Sequence, residues 1–163
     1  SIRNDLGIRS EIDLRKDGEM PIETYTQSVL GADVNYFRTP MEYGDYLANN
    51  KVIIQDIFEI LSDPNNYPIV YHCSAGADRT GVITYLINGL LGVSKEALLK
   101  DYLITNFAKT DGTFRTIDNI ADSYVKTLDE YRGNTLSEKI YNYLSEVIEV
   151  PTEQLDFIIS YLK

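Results

Sequence analysis

His72-Cys73-Ser74-Ala75-Gly76-Ala77-Asp78-Arg79-Thr80-Gly81 decides the reading of this chain, and it holds its one cysteine and its one histidine. Before it, Tyr67-Pro68-Ile69-Val70-Tyr71 has the pattern of a short buried strand, and after it Val82 to Leu91 has the pattern of a buried helix. The motif is therefore a tight strand-to-helix turn. The first N–H groups of a helix lack intrahelical partners. Together with the amides of a turn curled around one centre, they form an anion site. Gly76 supplies the positive-φ step such a turn needs. Arg79 follows Cys73 by six residues, at the helix start, and its planar fork matches two oxygens of one phosphate. Cys73 falls at the floor of the same cradle, where amide dipoles and Arg79 stabilise a thiolate. A lone cysteine in apolar sequence is ordinarily a small buried hydrophobe. Gly76, Arg79 and Thr80-Gly81 at this spacing turn the reading toward a nucleophile beneath a phosphoryl group.

Composition bounds the alternatives. The 163 residues suffice for one domain with a real core, and 44% hydrophobic with 25% charged residues fits a globular chain. No apolar run reaches membrane-span length, and no basic segment followed by an apolar core marks a signal peptide. Cytoplasmic and secreted locations both stay open. A single cysteine excludes an internal disulfide, and with a single histidine it excludes a metal site of the Cys/His type. The net charge of −10 leaves no basic face for nucleic acid and disfavours stable binding to an anionic membrane. An anionic substrate must then be drawn by a local positive pocket. Arg79, Arg15 and Arg38 are its candidate cations; for Arg15 a solvated or ion-paired role is the equal alternative.

Taken in order, Arg9 to Leu14 reads as a strand and Lys16-Asp17-Gly18-Glu19 as a turn. Thr24 to Phe37, β-branched and aromatic with Gly31 interrupting, reads as one or two strands. Arg38 to Asp45 is a loop marked by Pro40 and Gly44. Tyr46 to Leu61 carries Ile53, Ile57 and Ile60 at helical spacing. Gly92 is a helix stop, and Ser94 caps a helix running to about Asn106. Asp111-Gly112 is a turn. Phe114 to Tyr131, Leu136 to Val147 and Thr152 to Leu162 read as three further helices. The expected fold is α/β, with a small, largely parallel central sheet flanked by helices and a helical C-terminal half, in a single domain over residues 1–163. The first strand starts so early that a further strand before Ser1 is an open alternative.

Cys73-x5-Arg79 followed by Thr80-Gly81 resembles the signature of the cysteine-dependent protein tyrosine phosphatase superfamily. Asp78 just before Arg79 resembles its branch of bacterial tyrosine and dual-specificity phosphatases, some with phosphoinositide activity. Leu6 to Arg15, ending in Asp13-Leu14-Arg15, is similar to that branch's early strand. Asp101 to Asn106 resembles its segment after the catalytic helix, and Tyr143-Leu144 through Pro151 to Asp156 its C-terminal helices. The resemblance spans nearly the whole chain.

The chemistry expected is hydrolysis of a phosphate monoester in two steps, without metal or cofactor, on a phosphorylated protein or small phosphate ester. Cys73 attacks phosphorus and water cleaves the cysteinyl phosphate. Amides of Ser74, Ala75, Gly76, Ala77, Asp78 and Arg79, with the Arg79 guanidinium, hold the equatorial oxygens. Thr80 donates its hydroxyl to the sulfur, or caps the helix. The resemblance has His72 ordering the loop and thiol; a satisfied buried histidine is the alternative. Asp78 is one candidate acid, by similarity to the myotubularin lipid phosphatases, which also have Asp before the Arg. Asp45 and Glu42 in the upstream loop are its rivals. The other reading of Asp78 is a brace paired with Arg15 or Arg38. Phosphoinositide-directed members often carry Lys at the position of Ala77, so Ala77 points to phosphotyrosine or another single phosphate, with inositides the alternative. An arsenate reductase is disfavoured by the single cysteine, and a rhodanese-like transferase by Arg79-Thr80-Gly81. A non-catalytic phosphate-binding module is disfavoured because both Cys73 and Arg79 are present.

Overall fold

The computed structural model describes residues 5–21, 25–108 and 112–163. Thr24, where the second expected strand region begins, and Asp111 of the expected turn lie outside them. Three short strands, β1 (Ser10–Asp13), β2 (Asn35–Arg38) and β3 (Ile69–His72), form a parallel sheet in the order β2-β1-β3. Among the described residues of that stretch, only Asn35 to Phe37 enter the sheet; those before Asn35 form bends and turns. β1 is central and every one of its residues is buried, as a strand with a neighbour on each side and helices on its faces must be.

Register places the chemistry. Asp13 on β1 stands opposite Arg38 on β2 and His72 on β3. The chain then leaves all three strands on the same edge, carrying Arg15, Thr39 and Cys73 outward together. In open parallel sheets that carboxyl edge is where ligands bind.

The helices are α1 (Lys51–Leu61), α2 (Asp78–Leu90), α3 (Lys95–Ile104), α4 (Asp118–Ile120), α5 (Lys126–Asp129), α6 (Leu136–Tyr143) and α7 (Thr152–Leu162). α1 begins five residues later than the sequence pattern suggests, because Ala48–Asn50 forms a 3-10 turn before it. Ser94 caps α3 by accepting from the Ala97 N–H at 3.3 Å, as its sequence position implies. The helix expected over Phe114 to Tyr131 is broken instead. A π turn at Ala121–Val125, with Ser123 at φ −101 and ψ −127, separates α4 from α5. A second π turn at Leu144–Ile148 extends α6 and ends at Glu149 in the left-handed region. No helix among the described residues is long and apolar enough to cross a membrane.

The core gathers Ile12, Phe58, Ile83, Leu86, Leu128, Ile140, Leu144 and Ile158, all fully buried. α2 runs through its middle, against β3, α3 and α6, which explains why its sequence is apolar on most faces. Two of its glycines are contact points. Gly81 faces the Tyr102 ring, which a Cβ would approach to 3.4 Å, and a Cβ on Gly89 would come within 2.4 Å of Ile140 Cδ1. Gly89→Ala trades about 1 kcal/mol of helix propensity against about 1–3 kcal/mol of overpacking. A net loss of stability is expected, read as a lower urea midpoint at unchanged slope. A raised midpoint would show that α6 moves aside freely.

Candidate active site

β3 delivers the chain to Cys73, and α2 receives it at Asp78; the four residues between close the turn. Gly76 sits at φ 68, the conformation expected for it. Cys73 is 7% exposed and Arg79 only 1%. Burial alone would push the Cys73 thiol up. The Thr80 hydroxyl, the backbone N–H groups of Thr80 and Gly76, and the charge of Arg79 outweigh burial and hold it below an ordinary thiol. The Thr80 hydroxyl donates to Sγ at 3.1 Å. The donors around Sγ therefore favour its ionised form.

Arg79 reaches back across the sheet edge. Its Nη1 donates to the Leu14 carbonyl at 3.2 Å and to Glu19 Oε2 at 2.7 Å, and its Nη2 to Glu19 Oε1 at 2.6 Å. Ser74, the residue after the cysteine, donates its hydroxyl to the same Oε1 at 2.6 Å. This pair with Arg79 is the largest cause holding the Glu19 carboxyl down at about 2. The Tyr43 ring, from the loop before α1, lies over the guanidinium with its centroid 4.4 Å away.

Asp78 opens α2, and its side chain meets α3 and the segment before α4. Arg115 Nε and Nη2 donate to its two oxygens at 3.0 Å each, and the Tyr102 hydroxyl donates to Oδ1 at 2.9 Å. Arg115 is 4% exposed. Asp78 is thus paired with an arginine, though with neither Arg15 nor Arg38.

Those two arginines have other partners. Arg15 grips Asp13 through Nε at 2.8 Å and Nη2 at 2.7 Å, and this ion pair is buried. Arg38 donates to Asp17 at 2.8 Å and to the Arg15 carbonyl at 3.1 Å, and stacks on Tyr25 at 4.2 Å. His72 Nε2 lies 2.7 Å from Glu11 Oε1, and that bond is the main reason its pKa is raised; its Nδ1 lies 3.3 Å from the Cys73 carbonyl. Glu11, Asp13 and His72 bring ligand atoms within 4.8 Å of one another, the geometry of a candidate metal trio. Their oxygens already accept from Ser28, His72, Arg15 and Tyr36. Asp45 Oδ1 accepts the N–H groups of Leu47 and Ala48 and so starts the turn before α1. Glu42 pairs with Lys16 at 2.5 Å. Ala77 is 1% exposed and packs beneath the turn, against a cavity of about 30 Å³ also lined by Gly81, Tyr102 and Tyr124.

Sequence reasoning placed Cys73, Arg79 and Thr80 at one site, and they meet there. It missed Glu19, read only as part of a turn, and Arg115, read only as part of a helix. Both partners are distant in sequence, so no local pattern announces them.

The whole chain, residues 1–163, matches the model of the tyrosine phosphatase family. A tyrosine-protein phosphatase of Nostoc commune is 30% identical over 63 residues, 39% of this chain and 21% of that protein. A putative tyrosine-protein phosphatase of Cupriavidus necator is 29% identical over 102 residues, 53% of this chain and 37% of that protein. The match thus takes in well under half the length of either relative. Among solved structures, the core catalytic domain of the PP-IP phosphatase SIW14 from S. cerevisiae, in complex with citrate, superposes with a TM-score of 0.58. The identity is 21%, over 92% of this chain and 81% of that one, and the likeness is one of fold.

Alkylation of the single cysteine by iodoacetamide should follow a pH midpoint below that of a free thiol. Thr80→Val removes one stabilising donor, so the midpoint should move to higher pH. An unchanged midpoint would show that the hydroxyl does not stabilise the thiolate.

Proposed function

The chain belongs to the tyrosine phosphatase family, and from that premise we propose that it hydrolyses phosphate monoesters through a phosphoryl group carried on Cys73. The observation that carries this is a buried thiol held below its ordinary pKa by Thr80, the Gly76 and Thr80 amides and Arg79. A purely structural cysteine has no need of those donors. In the proposed reaction the thiolate attacks phosphorus as the alcohol or phenol leaves with a proton. Water then attacks the cysteinyl phosphate, expelling the thiolate, which the Thr80 hydroxyl stabilises. The amides from Ser74 to Arg79, and the Arg79 guanidinium, hold the equatorial oxygens throughout.

For the substrate, a single phosphate on tyrosine or a comparable aryl ester is favoured. The side chain at position 77 is a buried methyl and brings no cation to the pocket. Arg15 and Arg38, which could have served a second phosphate, are spent on Asp13 and Asp17. For the acid, the loop before α1 is favoured. Tyr43 of that loop already lies over Arg79, and exposed Asp45 follows two residues later. Asp78, with three donors on its carboxylate, is assigned to bracing the turn against Arg115 and Tyr102.

Metal-independent hydrolysis of an aryl phosphate should be present in the wild type and abolished in Cys73→Ser; activity surviving in that variant would sink the mechanism. Phosphotyrosine peptides should exceed polyphosphorylated inositides in kcat/KM at matched ionic strength, and the reverse order would refute the substrate reading. For the acid, leaving groups decide. Asp45→Asn should slow a high-pKa leaving group far more than an activated one, whereas Asp78→Asn should slow both alike. If Asp78→Asn shows the selective loss, the acid lies within the turn.

A further inference from the structure

We propose that Arg115 is a positioning residue that acts through Asp78: it cancels the carboxylate built into the Cys73-to-Arg79 turn, so that an anionic phosphoryl group can enter the positive end of α2. The inference rests on the reading of the site given above and deepens it.

Asp78 is an awkward residue for an anion cradle. It is the first residue of α2. The N–H groups and helix dipole that would receive a phosphoryl group there attract a carboxylate as well. The Asp78 side chain is 31% exposed, so its charge is not hidden inside the core. That charge reaches the loop before α1. Burial is the main reason the Tyr46 hydroxyl is pushed up to about 12, and the charges of Asp78 and Cys73 both add to the rise. A carboxylate felt at the same hydroxyl as the thiolate also opposes an arriving phosphoryl group. Arg79 is not the compensating cation for Asp78, because its guanidinium is paired with Glu19.

Arg115 is placed to compensate it. Its side chain is 5% exposed, and Nε and Nη2 each reach one Asp78 oxygen at 3.0 Å. Its backbone is fixed from the end of α3. Asn106, in the 3-10 turn Thr105–Phe107, donates Nδ2 to the Arg115 carbonyl at 2.8 Å. The Arg115 N–H donates back to Asn106 Oδ1 at 2.7 Å. One side-chain amide thus pairs with both backbone groups of Arg115, as a neighbouring strand would, and sets where the guanidinium starts.

A brace alone would not require a cation. Tyr102, one turn before Asn106, already donates its hydroxyl to Asp78 Oδ1 at 2.9 Å. A neutral donor in place of Arg115 could complete such a brace. Burying a guanidinium is costly unless its charge is matched, so the charge is the feature that asks for a reason. Asp78, at the mouth of the anion cradle, supplies it.

The test compares wild type, Arg115→Lys, Arg115→Gln and the double variant Asp78→Asn/Arg115→Gln. Two readouts need no turnover: the pH midpoint for alkylation of Cys73 by iodoacetamide, and the orthovanadate concentration that protects Cys73 from it. Arg115→Gln leaves the Asp78 charge uncancelled, so the midpoint should rise. The protecting vanadate concentration, and KM for an aryl phosphate, should rise roughly tenfold, the scale of one charge acting on an anion several ångströms away, with kcat changed far less. Arg115→Lys keeps the charge but loses the planar fork, and should stay within about threefold of wild type. Adding Asp78→Asn to Arg115→Gln should bring vanadate protection back to within about threefold of wild type and lower the midpoint again, because the charge to be cancelled is gone. Equal losses in Arg115→Lys and Arg115→Gln would show that only the geometry matters and overturn the proposal. A double variant no better than Arg115→Gln, or an Arg115→Gln indistinguishable from wild type, would overturn it too. Should Arg115→Gln not fold, the double variant decides: vanadate held much more weakly by it than by Arg115→Lys counts against the proposal, and comparable binding supports it. A wild type without Cys73-dependent turnover would instead strike the phosphatase reading, while the alkylation midpoint still judges Arg115.

Discussion

A guanidinium with 1% of its surface exposed is the constraint around which this molecule is arranged. Taking a cation out of water costs several kcal/mol unless its partners are well placed. Arg79 is supplied with a carboxylate from the loop after β1, a carbonyl from Leu14 and the face of Tyr43. Each of these comes from a segment leaving the same edge of the sheet or from the loop before α1. The parallel order β2-β1-β3 is what brings those segments together.

The same economy recurs around the turn. Glu11 holds His72, Asp13 holds Arg15, and Arg115 holds Asp78. These pairs sit behind and beside the Cys73-to-Arg79 turn and limit how it can relax. A turn whose amides must aim at one centre gains from such bracing, since preorganised donors need no reorganisation during reaction. With a net charge of −10, the chain does not attract anions globally. In the proposed reaction the attraction comes from the amides at the start of α2, where the positive end of the helix dipole lies.

How much of this was legible in the sequence follows from range. Features set within a few residues were readable: the positive φ of Gly76, the stop at Gly92 with φ 93, the cap at Ser94, and the meeting of Cys73, Thr80 and Arg79. Features set by distant partners were not. Arg15 and Arg38 looked like pocket cations because the sequence does not say that Asp13 points back at Arg15, or that Asp17 turns toward Arg38. The partner of Asp78 lies 37 positions away and that of Arg79 lies 60 away. The breaks at Ala121–Val125 and Leu144–Ile148 likewise escape a period-based reading. A π turn is a single i→i+5 turn set by how the helix packs, and apolar spacing alone does not distinguish it from a continuous helix. The stretch before Asn35 is rich in strand formers yet mostly turns, since strand preference depends on having a neighbour to pair with.

The central claim is that the Cys73 sulfur itself takes the phosphoryl group. The most direct measurement is an acid quench of the wild type during turnover of an aryl phosphate, followed by peptide mass spectrometry. The account predicts a phosphoryl group on the peptide containing Cys73, absent in Cys73→Ser and diminished in Arg79→Lys. Turnover with that peptide unmodified, or with the phosphoryl group on another residue, would contradict it.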